Sequence, residues 1–112
     1  MRWQVRFHPE ARKEERELPA REKLAMANAI DKLRALGRAL PYPHSSDVHG
    51  ADRLRELRPR AGRSPWRALH RRVGDAMVIA AIAPEAQVDP RGFDRAADAA
   101  ERRLSQLEED GT

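Results

Sequence analysis

The stretch that decides the fold, residues 66–83, reads WRALHRRVGDAMVIAAIA. Its first half ends at a Gly-Asp pair, and both residue types tolerate the left-handed backbone angles of a tight turn. Its second half, residues 76–83, is apolar throughout, which is typical of a strand buried on both sides. The stretch therefore predicts a β-hairpin whose second strand lies in the interior of a sheet.

Weaker patterns on either side predict the remaining elements. Residues 2–7 alternate polar and apolar side chains, as in a half-buried strand. Pro19 separates two helical patterns, and Asp89-Pro90 supplies an N-cap and a first-turn proline for a last helix. The predicted elements are strands 2–7, 53–59, 66–73 and 76–83, helices 9–18, 20–38 and 91–108, and a loop over 39–52.

The order of these elements is β-α-α-β-β-β-α, which predicts an α+β fold with a largely antiparallel sheet. Because residues 2–7 are apolar on one side only, we expect all helices to cover one sheet face, giving two layers with the other face open. At 112 residues the chain is predicted to be one domain over 1–112. We expect residues 108–112 to fray, because their acidic side chains oppose the helix dipole.

Composition excludes several classes of protein. The absence of cysteine excludes disulfide frameworks, thiolate metal sites and a cysteine nucleophile. The longest apolar run, residues 76–83, is far shorter than the ~20 residues of a membrane span, and the first residues lack the apolar core of a signal peptide. We therefore expect a cytoplasmic protein that makes no membrane contact.

Arginine is concentrated in the middle of the chain. Residues 53–84 carry eight basic and two acidic side chains, a balance of +6, whereas residues 85–112 carry four basic and eight acidic ones. Because the guanidinium grips phosphate through two parallel donors, this block predicts a polyanionic partner. A solvated surface, or an arginine-rich genome composition, would produce the same excess.

The predicted hairpin between the second and third strands brings charged residues together. In the register that its loop favours, Arg58 faces Arg67 on the open face and Leu57 faces Ala68 on the core face. Directly opposed like charges destabilise a sheet unless an anion lies between them, so this register predicts a phosphate site. A pairing of Arg58 with Glu56, or a one-residue slip of register, would remove the site.

The histidines and tryptophans leave alternatives open. His8, His44, His49 and His70 lack the spacing of metal ligands, so we expect no metal site. His70 falls on the predicted core face, where it is either a buried structural histidine or a group that transfers protons. Trp66 is either a core residue or a platform for a nucleobase. Without a glycine-rich phosphate loop or a nucleophile elbow, we expect no cofactor.

The ordered set of motifs resembles the RelE/ParE superfamily of toxins, and within it the HigB-like, phage-derived subgroup. The similarity lies in Leu-Arg-Glu-Leu-Arg at 54–58, Trp-Arg-Ala-Leu-His at 66–70, the apolar strand 76–83 and the Asp-Pro helix start at 89–90. It covers about residues 2–104. The resemblance implies a RelE-like fold and the role of toxin in a type II toxin–antitoxin system.

The resemblance also implies an activity and partners. Such a toxin is a metal-independent endoribonuclease that cleaves mRNA, often on the ribosome, and its partner is a helix-turn-helix, HigA-like antitoxin from the adjacent gene. Arg58 and Arg67 match the two strand arginines that hold the scissile phosphate in the family. His70 and Glu56 are our candidates for proton transfer, and His70 is the one that we name as catalytic. The residues that we expect to bind RNA are Arg55, Trp66, Arg71 and Arg91.

One loop departs from the family pattern. The family carries two or three lysines after the last strand, whereas residues 84–90 read PEAQVDP and contain two acids. Arg71 or Arg91 would have to supply the missing charge to the transition state. The alternative is a non-catalytic protein of the same fold that acts by protein binding, either on a topoisomerase, as ParE-like toxins do, or on its antitoxin alone.

Overall fold

A five-stranded sheet and three helices make up residues 2–110, the part of the chain that a computed structural model describes. The α+β class is confirmed, and each predicted strand and helix is present. The strands are β1 (Gln4–Phe7), β2 (Ser45–Asp47), β3 (Arg55–Leu57), β4 (Trp66–Val73) and β5 (Ala76–Pro84), and the helices are α1 (Pro9–Arg16), α2 (Ala20–Leu36) and α3 (Pro90–Asp110).

The strands lie side by side in the order β1-β5-β4-β3-β2. β1 runs parallel to β5 and the other neighbours are antiparallel, so the largely antiparallel sheet is confirmed. β3 and β4 pair in the predicted register, with Leu57 opposite Ala68. Sequence patterns do not predict β2, because its Ser-Ser-Asp has no apolar alternation. It forms by pairing Ser45 and Asp47 with β3 inside the stretch expected to be a loop.

The helices cover both sides of the sheet, so the expectation of two layers with all helices on one face is wrong. α1 and α2 pack on one side, where Met26 and Leu33 share a core with Ile79. α3 packs on the other side through Phe93 and Leu104. We call these two sides of the sheet the α1/α2 face and the α3 face.

The side chains of β5 explain why both faces need a helix. Met77, Ile79 and Ile82 contact the core beneath α1 and α2, whereas Val78 and Ala81 belong to the core beneath α3. Leaving a large side chain such as Val78 in water would cost about 1.5–3 kcal/mol. The single apolar side of β1 does not predict how many faces of the sheet are covered, because β1 is an edge strand.

α3 begins where the sequence predicts. The Asp89 carboxylate accepts a hydrogen bond from the Gly92 N–H at 2.9 Å, as an N-cap residue does. The helix continues past the predicted end at residue 108 to Asp110. Residues 111–112, the rest of the segment expected to fray, lie outside the described residues. None of the helices within residues 2–110 has the length and apolar character needed to cross a membrane.

Near a bulge in β5, side chains rather than a neighbouring strand form the hydrogen bonds of two backbone groups. The pairing with β4 skips Ala80, and β1 ends opposite Ile79. Beyond that point Glu14 accepts a hydrogen bond from the Ile82 N–H at 3.0 Å, and Arg103 donates to the Ala80 carbonyl at 2.8 Å. Glu14 and Arg103 are themselves 3.0 Å apart, so one ion pair caps the strand edge and joins α1 to α3.

We expect Arg103→Met to lower the free energy of unfolding by about 1–3 kcal/mol, because Glu14 and the Ala80 carbonyl lose their donor. Arg102→Met removes the same charge from the exposed neighbouring position and should change stability by less than about 0.5 kcal/mol. Urea denaturation of the two variants measures the difference. Equal stabilities would show that the ion pair does not support the strand edge.

Candidate active site

A cleft lies on the α3 face, where the ends of β3 and β4 meet the loop that leads from β5 to α3. Its volume is about 440 Å³, and both predicted strand arginines, Arg58 and Arg67, line it. The other lining residues used below are Ser46, Asp47, His49, Glu56 and Glu85. We call this space the cleft.

One carboxylate oxygen organises the cleft. Oε1 of Glu56 lies 2.8 Å from Arg58 Nη1 and 3.6 Å from Arg67 Nε, and it accepts a hydrogen bond from Ser46 Oγ at 3.2 Å. The two like charges across the hairpin are therefore held together by an anion that the protein itself supplies. Three donor groups converge on one oxygen position, an arrangement that also suits a phosphate oxygen.

Arg58 is the cleft arginine that solvent reaches. Its side chain is 18% exposed, compared with 2% for Arg67. Its Nε donates to the Pro43 carbonyl at 3.0 Å, and its guanidinium lies 5.2 Å from the centre of the Tyr42 ring. That distance is within the range of a cation–π interaction. Arg58 is thus held in a fixed position beside a tyrosine that is 70% exposed.

Arg67 is buried, so the expectation of two exposed arginines on an open face is wrong for this residue. It donates to three backbone carbonyls at 2.6–3.2 Å, those of Gly62, Ser64 and Trp66. Burial lowers the pKa of Arg67, and the charge of Arg58 lowers it further, whereas Glu56 and Glu85 oppose the shift. Arg67 therefore holds the β3–β4 loop in place while its Nε reaches the cleft.

Three predicted site residues lie on the α1/α2 face, away from the cleft. Arg55 pairs with His70 across β3 and β4, and Trp66 packs against the core beneath α1 and α2. Because alternate residues of a strand point to opposite sides, the register that brings Arg58 and Arg67 together separates them from these three. His70 is buried, with Nδ1 3.2 Å from the Ala68 carbonyl oxygen. His70 thus lies on the core face that the sequence predicts, and it does not reach the two arginines of the cleft.

The two arginines expected to replace the family lysines do not enter the cleft. Arg71 lies on the α3 face, but its Nη2 is 2.6 Å from Glu101 Oε1 and 2.7 Å from the Asp52 carbonyl oxygen. These contacts bury it beneath α3. Arg91 is exposed in the first turn of α3 and is not among the described residues that line the cleft.

Sequence patterns do not single out three of the cleft residues. Ser46 lies in the unpredicted strand β2, and His49 lies in the turn that follows it. Glu85 Oε1 lies 3.6 Å from Arg67 Nη2, in the loop where the family carries lysines. The acidic residues in place of those lysines are the one sequence signal that points to Glu85. Within residues 2–110, His, Asp and Glu side chains form no group of three or more that could hold a metal ion.

Arg67→Ala is expected to lower the free energy of unfolding by about 2–4 kcal/mol, because Glu56 and Glu85 lose a partner and the loop carbonyls lose their donor. The matched control is Arg63→Ala, an exposed arginine of the same loop, for which we expect a loss below about 1 kcal/mol. Urea denaturation distinguishes them. Wild-type stability of the Arg67→Ala protein would mean that its buried contacts do not hold the loop.

His70 is expected to make stability depend on pH. Burial lowers the pKa of His70 to about 4, whereas an unfolded histidine titrates near 6.5. The unfolded chain therefore binds a proton that the folded chain excludes, and stability falls as the pH drops from 6.5 towards 4. We expect about 2 kcal/mol to be lost between pH 7 and pH 5 through this residue. His70→Gln should flatten the pH profile of urea denaturation by that amount, and parallel profiles would contradict the assignment.

Comparisons with known proteins agree with this architecture. The family described as "Phage derived protein Gp49-like (DUF891)" matches residues 13–82, more than half of the chain. No curated protein sequence gives a significant match.

Two solved structures share the fold. The Escherichia coli toxin RelE, as a double arginine-to-alanine mutant in the free state, is 13% identical, with a TM-score of 0.62 over 88% of this chain and 97% of that chain. The archaeal RelE–RelB complex from Pyrococcus horikoshii contains a chain that is 18% identical, with a TM-score of 0.55 over 78% of this chain and 99% of that chain. The chain therefore belongs to the phage-derived Gp49-like family, and its fold is that of RelE.

Proposed function

We propose that this protein is the toxin of a type II toxin–antitoxin pair and that it cleaves mRNA as a metal-independent endoribonuclease. The observation that carries the proposal is the convergence of Ser46, Arg58 and Arg67 on a single anion position in the cleft. A scissile phosphate would replace the Glu56 carboxylate there. The cleft volume of about 440 Å³ is large enough for one nucleotide.

In the proposed reaction RNA supplies its own nucleophile. The 2′-oxygen loses its proton to a base and attacks the adjacent phosphorus, while the bond from phosphorus to the 5′-oxygen breaks and that oxygen gains a proton. The products are a 2′,3′-cyclic phosphate and a 5′-hydroxyl. Arg58 stabilises the negative charge that develops on the phosphate oxygens. Glu56 and His49, which both line the cleft, are the candidate groups for the two proton transfers.

Tyr42 adds a candidate contact for the RNA chain. Its exposed ring lies beside the Arg58 guanidinium, close to the phosphate position. Stacking of a base on such a ring contributes about 1–3 kcal/mol and depends little on the identity of the base. We propose that Tyr42 takes the stacking role expected of Trp66, which packs instead in the core beneath α1 and α2.

The proposed partners rest on the resemblance to HigB-like toxins. We infer a helix-turn-helix, HigA-like antitoxin encoded by the adjacent gene, and we infer that cleavage takes place on ribosome-bound mRNA in the cytoplasm. One of the structures with this fold is itself a complex of RelE with RelB. Co-purification with the product of the adjacent gene at moderate salt tests the pairing.

The charge balance of the cleft favours a second candidate function. Glu56 and Glu85 lie beside Arg58 and Arg67, and Asp47 also lines the cleft, so carboxylates fully match the two guanidiniums. The loop over 84–90 lacks the lysines that would add positive charge. A non-catalytic toxin-fold protein, which acts by binding a topoisomerase or only its antitoxin, would have no need of excess positive charge in this cleft.

Arg58→Gln is expected to slow RNA cleavage about 10²–10³-fold, because one charged contact to the transition state is lost. Arg63→Gln removes the same charge from an exposed position outside the described lining of the cleft and should leave cleavage unchanged. Growth and mRNA cleavage are followed together after induced expression of the wild-type protein and both variants.

The outcomes separate the two candidate functions. Growth inhibition without RNA cleavage by the wild-type protein would favour the non-catalytic candidate. Cleavage that persists at the wild-type rate in Arg58→Gln would show that the active site lies elsewhere. Equal loss in Arg58→Gln and Arg63→Gln would indicate a general effect of charge rather than a phosphate contact.

A further inference from the structure

A second cavity lies on the α1/α2 face, between the end of α2 and strands β3 and β4. Its volume is about 430 Å³, similar to that of the cleft. Most of its lining side chains are basic, and two further residues supply a buried ring and an apolar surface. The lining residues used here are Arg38, Arg53, Arg55, Arg72, His70 and Met77. We call this space the arginine cavity.

Positive charge in the arginine cavity is far less neutralised than in the cleft. Asp47 is the one carboxylate among the described residues that line it, and it pairs with Arg55 at 2.5 Å. The carboxylate that Arg53 contacts, Asp52, is 3.7 Å away, and both of these side chains are largely exposed. Exposed pairs of this kind are weak because water screens them. Five arginines line the space, because Arg71 also reaches it although Glu101 matches its charge, and Asp47 is the one acid among the described lining residues.

Neutral groups hold Arg72 in place, which leaves its charge available. Arg72 donates to the Gly74 carbonyl at 2.8 Å and lies 5.5 Å from the Trp3 ring centre. Arg55 donates to Ser45 Oγ at 3.2 Å in addition to its pair with Asp47. Positions fixed before binding reduce the entropy lost when a ligand is gripped.

The backbone at Arg53 supplies an independent observation. Its φ is +60°, in the left-handed region, which costs a non-glycine residue about 1–2 kcal/mol. Glycine adopts such an angle without strain, as Gly50 of the same turn does with φ +78°. The turn therefore tolerates strain at the position that places a guanidinium at the arginine cavity, and such strain is typical of binding sites.

We propose that the arginine cavity binds a nucleotide phosphate, so that the protein holds a nucleotide on the sheet face opposite the cleft. Guanidinium forks match phosphate oxygens in geometry and charge. The volume is within the range of small-ligand sites, and Met77 provides apolar surface for a sugar or base. The phosphate belongs either to a free nucleotide or to an RNA strand, and the proposal holds whether or not the cleft cleaves RNA.

The test measures binding of two probes, uridine 5′-monophosphate and a short 2′-O-methyl oligoribonucleotide. The second probe cannot be cleaved because it lacks the attacking 2′-hydroxyl. The double variant Arg38→Gln/Arg72→Gln removes two charges from the arginine cavity, and Arg16→Gln/Arg102→Gln removes two from exposed positions on α1 and α3. All these proteins keep the residues of the cleft, and thermal denaturation checks that each is folded.

Arg38→Gln/Arg72→Gln is expected to weaken binding about tenfold, and the salt dependence of strand binding should become shallower by about 0.7 per lost contact. The control should bind like the wild-type protein. Equal affinity for both probes identifies a free nucleotide as the ligand, and binding of the strand alone identifies RNA.

Two results would overturn the proposal. The two double variants could bind the probes with equal affinity, whether or not both fall below the wild-type protein. The wild-type protein could bind neither probe at about 0.1 M salt, and a glutamate-rich peptide that then binds through Arg38 and Arg72 would assign the arginine cavity to an acidic protein. Cleavage is not measured, so failure of the proposed nuclease activity does not affect the outcome.

Discussion

Strand β5 is apolar on both of its sides, and this constraint determines where the other elements pack. α1 and α2 cover Met77 and Ile79 on one face, and α3 covers Val78 on the other. Because α3 must return across the sheet directly after β5, its first turn and the preceding loop lie at the ends of β4 and β5. The cleft forms at that point. The Glu14–Arg103 pair then closes the part of the β5 edge that β1 does not reach.

Arginine side chains have different acidic neighbours on the two faces of the sheet. In the cleft, Glu56 binds Arg58 and also lies beside Arg67, which is buried among loop carbonyls. On the α1/α2 face, the arginine cavity has Asp47 as its one described acidic lining residue. A ligand phosphate must therefore displace a carboxylate in the cleft, whereas in the arginine cavity it meets charge that is largely unmatched. The net charge of +4 conceals this difference.

Much of the fold could be predicted from periodicity alone, and the hairpin register that joins Arg58 to Arg67 was correct. The predicted placement of α3 is wrong because β1, an edge strand, is apolar on one side only, whereas the central strand β5 is apolar on both. Ser46 and His49 could not be predicted as cleft residues. The strand that holds Ser46 has three polar residues and no apolar alternation, and His49 lies in the turn that follows it. The burial of Arg67 depends on how the β3–β4 loop folds its carbonyls over the guanidinium, and a loop of that kind has no periodic signal.

The central claim is that Glu56 occupies, in the free protein, the position of a substrate phosphate. It is tested most directly by the affinity of Glu56→Gln for the 2′-O-methyl strand at low salt, compared with the wild-type protein. Removing the carboxylate charge leaves Arg58 and Arg67 in place with less neutralisation, so we expect binding that is severalfold tighter. Unchanged or weaker binding would contradict it, because the anion position at Glu56 Oε1 would then not be one that RNA uses.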